Sequence, residues 1–386
     1  MKIVADQNIL EVENAFSDIG TVVKVPSYRI NRSILQDAQI LLVRSVTPVN
    51  RELLEGTPVR FVASATIGVD HVDLEYLEQN CIGFAHAPGS NADSVTEYVI
   101  ASILQIALKM ERDPKEMKLG VIGVGNVGSR VCRLARAVGM DCILNDPPKR
   151  DLTGQEIYRP LEEVLEKCDI VSLHIPLISS DPYPTYHMVD SQFVTQMKRG
   201  AALINTSRGK VIDEKSFRTV RDQLGPVVLD VFENEPQINL DMVKLADVAT
   251  PHIAGYSLDG KLRGTEMIYE SMCAFFFKTP SWSARFCSLC TETEQVDLTS
   301  SENPLYDAVQ SAYPIMEDDE QFRQIFSIQK DQQARFFEEL RKDYPKRLEF
   351  PHFTVTLDKK HHKQAAVLKD LRFEVKFEGE SDMKVG

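Results

Sequence analysis

Positive charge is in short supply in this 386-residue chain, where 44 Lys and Arg stand against 57 Asp and Glu and the formal net charge is −13. A nucleic-acid footprint needs a strong basic excess, so that class of partner is excluded. Any anionic ligand must instead be met by a local cluster of Arg, Lys and backbone amides. Long apolar runs are missing as well. The most hydrophobic helical stretch, around Val99 to Leu108, is short and interrupted by Gln105, so no segment is expected to span a membrane. Met1 to Asp6 passes directly into a short apolar strand and an acid, unlike a signal peptide. The seven cysteines are mostly scattered singly, which suits reduced thiols in a cytoplasmic protein. Cys287 and Cys290 are the one close pair, with no second pair to complete a zinc site. His361 and His362 sit among lysines, as on a solvated surface, and no metal is expected.

What is present is an ordinary globular composition, 43% hydrophobic and 26% charged, in a chain long enough for two or three domains. Short apolar runs at Lys2–Ala5, Thr21–Val25, Ile40–Val43 and Phe61–Ala63 alternate with amphipathic stretches at Glu11–Ile19, Asn50–Glu55 and Leu74–Gln79. That rhythm predicts a parallel sheet covered on both faces. A long helix from about Val95 to Met110, capped by Asn91 or Ser94, leads into a second series. Its strand candidates are Leu119–Ile122, Asp141–Leu144, Ile170–His174, Ala202–Asn205, Val227–Val231 and Val248–Ala249, as in a doubly wound dinucleotide-binding domain. A helix over about Lys261–Phe277 follows. Beyond it, polar loops, a charged helix near Asp318–Lys342 and a few alternating strands read as a small α+β appendage.

Gly123-Val124-Gly125-Asn126-Val127-Gly128 lies between a predicted strand and a helix, the context that gives a G-x-G-x-x-G run meaning. Its glycines permit a tight turn, approach of a pyrophosphate and close helix packing, and the helix N-terminus offers unpaired N–H groups. Asp146 closes the next strand, where a carboxylate binds ribose hydroxyls and repels a 2′-phosphate, favouring NAD. Lys149 and Arg150 nearby keep NADP open.

Three further segments fall at predicted carboxyl ends of strands: Asn205–Gly209, Asp230–Pro236 and Thr250–Gly255. Doubly wound sheets bind ligands there. Singly, Arg208 reads as a surface arginine, Glu235 as a loop acid and His252 as a hydrogen-bonded loop histidine. Jointly they suit alcohol oxidation. An imidazole takes the hydroxyl proton, a carboxylate orients it, and a guanidinium offers paired donors to a substrate carboxylate.

These blocks resemble the D-isomer-specific 2-hydroxyacid dehydrogenases over roughly the first 280 residues. The resemblance implies two Rossmann-like doubly wound parallel-sheet domains plus a small C-terminal α+β domain. The substrate domain would comprise residues 1–94 and 256–285, the NAD-binding domain residues 95–255, and a C-terminal dimerisation domain residues 286–386. Arg208, Glu235 and His252 match the family's catalytic set. Glu233 is the competing acid, but the family's acid directly precedes the proline.

Leu42-Val43-Arg44-Ser45-Val46-Thr47, Ala65–His71, His174–Leu177, Pro182–His187 and His252–Ser257 with Gly260-Lys261 are similar to the branch that acts on 4-phospho-D-erythronate in vitamin B6 synthesis. By that resemblance Arg44, Ser45, Thr66 and Tyr256 contact the phosphorylated hydroxy acid. Gly123, Gly125, Asn126, Val127, Gly128, Asp146, Ile175, Thr206, Ser207, Arg208, Asp230 and Gly255 line the NAD site, and the enzyme is a cytoplasmic homodimer. From the residues alone Ser45 and Thr66 also read as turn hydroxyls. Two alternatives accompany this reading: another member of the family, of phosphoglycerate or glyoxylate/hydroxypyruvate type, and an NAD-sensing corepressor or scaffold on the same fold.

Overall fold

The structure, a computed structural model, describes residues 1–286 and 293–379. Cys287 and Cys290 therefore lie outside the described residues. The chain forms two compact units, one from Met1–Ala92 resumed at Ser257, the other from Asp93–Tyr256 resumed at Thr293. Among the described residues, no helix is long and apolar enough to cross a membrane.

The first unit is built on β1 (Lys2–Asp6), β2 (Thr21–Val25), β3 (Ile40–Val43), β4 (Phe61–Ser64) and β5 (Gly83–His86), in the order β2-β1-β3-β4-β5. All its pairings are parallel. β3 and β4 are buried along their whole length, as expected of strands covered on both faces. Val12–Phe16 and Leu258–Phe275 help cover one face, bringing Phe16, Ile268, Tyr269 and Met272 onto Ile3, Ile40 and Phe61. Asn50 and Asp73 cap their helices by accepting from Leu53 N and Tyr76 N. The fifth strand was not anticipated: Gly83-Phe84-Ala85-His86 is too short to show a period.

The second unit carries β6 (Lys118–Ile122), β7 (Asp141–Asn145), β8 (Ile170–Leu173), β9 (Ala202–Asn205), β10 (Val227–Leu229) and β11 (Val248–Ala249), in the order β7-β6-β8-β9-β10-β11. This sheet too is wholly parallel. The strand order reverses at β6, so the loops after β6 and β8 flank the crevice where such sheets bind ligands. The long helix runs over Ala92–Lys109. Starting that early, it leaves Ser94 inside the first turn, with its hydroxyl given to Ala254 O at 2.8 Å. Asn91 Oδ1 is buried with no hydrogen-bond partner among the described residues, so neither residue caps the helix as expected.

The C-terminal segment builds a three-stranded parallel sheet from β12 (Glu294–Asp297), β13 (Phe353–Leu357) and β14 (Glu374–Phe377), with β13 central. The charged stretch expected as one helix is two, Ile315–Arg323 and Gln333–Lys342, separated by short 3₁₀ turns. The break lets Phe322, Ile325 and Phe337 all enter the core beneath β8 to β11. Arg323 donates to Val243 O and Ala246 O, and Asp319 Oδ1 accepts from Ala249 N at 2.7 Å. The outer edge of β11 is thereby covered rather than left as an open ladder.

Candidate active site

The glycine loop takes its shape from the ends of β6 and β8. Gly123 has φ +84°, and a Cβ there would stand 2.4 Å from His174 O and 2.7 Å from Ile175 Cγ2. At Gly128 a Cβ would stand 2.0 Å from Gly123 O, so the helix Asn126–Ala137 meets the turn backbone to backbone. Gly125 differs from both. Nothing lies within 4 Å of where its Cβ would be, and no side chain caps the helix it precedes. An open approach to uncapped N–H groups is what a pyrophosphate requires.

Asp146 follows β7 and ties the loop down. Its Oδ2 accepts from Val124 N at 2.8 Å and its Oδ1 from Lys149 N at 3.0 Å. Lys149 Nζ returns a bond to Val124 O. Each Asp146 oxygen keeps lone-pair capacity for a ribose hydroxyl. Beyond β9, Asn205 Oδ1 accepts from Ser207 N and Oγ, and its Nδ2 donates to Arg208 O at 3.1 Å. The buried hydroxyl of Thr206 in this loop has no partner among the described residues. Such an orphan costs free energy unless a ligand meets it. The open Gly125, the uncapped helix and this hydroxyl together fit a dinucleotide.

Arg208, Glu235 and His252 belong to this same unit, and close contacts join their segments. Gly209 abuts Phe232 so tightly that a Cβ there would lie 1.9 Å from the Phe232 carbonyl. Phe232 N donates to Glu235 Oε1 at 2.9 Å, and His252 Nδ1 donates to Glu235 Oε2 at 2.7 Å. Burial raises the Glu235 carboxyl, but the His252 charge and hydrogen bond, helped by Phe232 N–H and Arg341, hold it below its ordinary value. In the neutral ring, a proton held at Nδ1 leaves the lone pair on Nε2. Glu233 is engaged elsewhere, with its Oε1 on His187 Nε2. Of the two acids weighed from sequence, Glu235 is the one that reaches His252.

The backbone at His252 is left-handed, with φ +57°. Asp230 secures that conformation. His252 N donates to Asp230 O at 2.7 Å, Ile253 N to Oδ1 at 2.8 Å and Ala254 N to Oδ2 at 3.1 Å. Burial pushes the Asp230 carboxyl up to about 6, against the pull of His252 and these hydrogen bonds. Sequence reasoning missed the support behind it: Tyr98 donates to Thr250 Oγ1, which donates to Asp230 Oδ1, both at 2.7 Å. A helical tyrosine and a strand-end threonine look like core residues, and no local pattern marks them as partners.

Arg44, Ser45 and Thr66 lie in the first unit, on the loops after β3 and β4. Thr66 Oγ1 and Ser64 Oγ are 2.7 Å apart, Ser64 Oγ is 3.0 Å from His71 Nε2, and Thr66 Oγ1 donates to Gly68 O at 3.4 Å, so the threonine lies within a chain of polar groups. Burial, partly offset by Asp70, keeps the His71 pKa below its ordinary value. Thr47 Oγ1, in the Arg44 loop, is buried without a partner among the described residues. Tyr256 and Gly255 belong to the second unit, following the His252 turn.

Comparison with known proteins follows the same lines. Residues 101–254 match the family model described as the D-isomer specific 2-hydroxyacid dehydrogenase, NAD binding domain, and residues 290–371 match a domain of unknown function. A Salinibacter ruber protein named erythronate-4-phosphate dehydrogenase is 42% identical over 381 residues, covering 95% of this chain and 97% of its own. A protein of the same name from Pseudomonas syringae pv. tomato is 40% identical over 364 residues, 93% of this chain and 95% of its own. Among solved structures, the Aquifex aeolicus D-lactate dehydrogenase complexed with NAD and lactic acid aligns at TM-score 0.60 and 28% identity, over 72% of this chain and 96% of that one. The NAD⁺-bound 3-phosphoglycerate dehydrogenase of Entamoeba histolytica aligns at 0.60 and 25%, over 73% of this chain and 98% of its own.

Proposed function

Since the chain belongs to the erythronate-4-phosphate dehydrogenase family, and is thus an NAD-dependent hydroxyacid dehydrogenase, we propose that it oxidises 4-phospho-D-erythronate to (R)-3-hydroxy-2-oxo-4-phosphooxybutanoate. The observation that carries the reading is the His252–Glu235 pair, 2.7 Å apart, in the same unit as the glycine loop.

In this reading Arg208 clamps the substrate carboxylate and the adjacent oxygen through its planar donors. His252 Nε2 accepts the proton of the C2 hydroxyl while the C2–H bond breaks. Glu235 fixes the imidazole through Nδ1 and offsets the positive charge that the ring acquires. Bound NAD supplies the acceptor for the hydride that leaves C2. Gly123, Gly125, Asn126, Val127 and Gly128 hold its pyrophosphate, Asp146 its ribose, and Ile175, Thr206, Ser207 and Gly255 the remaining surface. Asp230 acts through the turn it ties. Arg44, Ser45, Thr66 and Tyr256 contact the substrate.

In this reading the product feeds pyridoxal 5′-phosphate biosynthesis, and the free thiols of Cys81, Cys132, Cys142, Cys168 and Cys273 support a cytoplasmic location. The branch resemblance supports residues 286–386 as a dimerisation domain of a homodimer, residues 1–94 with 256–285 as the substrate domain and 95–255 as the NAD domain. The test is a panel of 2-hydroxy acids and their 2-oxo products, phosphorylated and not, assayed in both directions with NAD and NADP. Fastest turnover of 4-phospho-D-erythronate with NAD is expected. A preference for an unphosphorylated acid would overturn the substrate assignment.

A further inference from the structure

We infer that Arg341, supplied by the C-terminal segment, binds the phosphate of the substrate. The inference rests on the phosphorylated-substrate reading above. Arg341 lies in the last turn of Gln333–Lys342. Its Cζ is 5.9 Å from the centroid of the Tyr256 ring and 5.8 Å from that of Phe337. Phe337 is wholly buried in the core of the second unit, so the base of the helix is fixed.

The segment around Arg341 is anchored to the stretch that carries the proposed base. Tyr344 meets the Tyr256 ring edge-on at 5.9 Å, with its hydroxyl on Asp318 Oδ2 at 2.8 Å. Arg347 donates to Tyr256 O at 3.1 Å and to Glu97 Oε2 at 3.2 Å. It also donates to Ser94 Oγ, the hydroxyl that holds Ala254 O. Tyr256 is thus framed by tail residues through both its ring and its carbonyl.

Arg341 itself is used otherwise than Arg347. Its Nε is buried with no hydrogen-bond partner among the described residues. Glu235, the acid its charge acts on, already has one oxygen on Phe232 N–H and the other on His252. A guanidinium seated against aromatic rings keeps its in-plane N–H groups for an anion, and its fork geometry matches phosphate. Arg208 serves the carboxylate at one end of the substrate. Arg341, whose charge acts on the acid of the imidazole–acid pair, suits the other anion of the same small molecule. In a chain of net charge −13, such a cation also offsets the field that would repel a dianion.

The test compares wild type, Arg341→Met and Arg341→Lys on 4-phospho-D-erythronate and on unphosphorylated D-erythronate, with NADH titration confirming a folded cofactor site in each. Arg341→Met is expected to lower the ratio of kcat/KM for the phosphorylated over the unphosphorylated acid by roughly 10- to 100-fold, the range for one charge-assisted hydrogen bond. Arg341→Lys should recover part of that ratio, and inorganic phosphate should inhibit the Met variant less than wild type. If Met fails to bind NADH, the Lys variant carries the comparison. Equal losses on both acids, or an unchanged ratio, overturn the inference and leave the substrate reading standing. A wild type without preference for the phosphorylated acid overturns both.

Discussion

Replacing Glu235 by glutamine isolates the charge that props the proposed base. The structure allows the penalty to be worked out. Glu235 accepts two hydrogen bonds, from Phe232 N at 2.9 Å and from His252 Nδ1 at 2.7 Å. A glutamine has one carbonyl oxygen, so its amide must face one of these donors with a donor of its own. If the oxygen stays on Phe232 N–H, His252 loses its orienting acceptor. If it turns to His252, a half-buried backbone N–H is stranded. Either way one charge-assisted bond, worth about 1.5–3 kcal/mol, is weakened, and an unpaired donor adds about 1–3 kcal/mol. The sum, about 2.5–6 kcal/mol, corresponds to a fall in kcat/KM of roughly 10²- to 10⁴-fold. Steady-state NADH formation measures it, with cofactor affinity from fluorescence titration as the control. Glu233→Gln provides the contrast. Glu233 pairs with His187, whose side chain is 31% exposed, and such a pair is worth about 1 kcal/mol or less. A Glu235→Gln enzyme within about threefold of wild type, or one no worse than Glu233→Gln, would refute the assignment of Glu235 as the orienting acid.

His252→Asn should cut turnover by roughly 10²- to 10⁴-fold while NADH still binds, the range for losing a general acid/base; an unchanged rate removes His252 from the mechanism. Asp146→Ser should weaken NAD binding and relax discrimination against NADP, and a preference that does not move identifies the wrong acid. Asp169 accepts from Arg112, Lys198 and Lys118 N, which outweigh burial and hold its carboxyl at about 2. A pKa depressed by folding stabilises above the unfolded value near 3.8, and that stability fades as pH falls toward about 2. Asp169→Asn should therefore lower stability by about 2 kcal/mol at neutral pH, with the difference from wild type shrinking below about pH 4 in denaturant melts.

The sequence was most legible where local chemistry dictates geometry. Parallel strands buried on both faces leave apolar runs, and β3, β8 and β9 are such runs. Gly123 and Gly128 announce a turn that admits no side chain, and the structure shows why: each approaches backbone too closely for a Cβ. Glu235 beside Pro236 and His252 after Pro251 could be nominated because their residue types suit one reaction. Less was legible where a position depends on distant partners. Gly83–His86 becomes a strand because β4 offers an edge, which four residues of mixed character do not advertise. Ser94 serves Ala254, 160 residues away, instead of capping its helix. The split between Ile315–Arg323 and Gln333–Lys342 follows from a need to seat Phe322 and Phe337 in the same core, a demand set by β8 to β11 and invisible from the tail alone.

The aromatic plugs from that tail also bear on how the catalyst can be shortened. Because Phe322, Ile325 and Phe337 fill part of the nucleotide unit's interior and Asp319 seals the end of its sheet, a chain stopped at residue 286 would present a greasy, unsealed flank to water. Trimming there would yield an aggregation-prone fragment. A minimal version would first need β11 and the floor under Met242 and Val243 redesigned with polar outer faces.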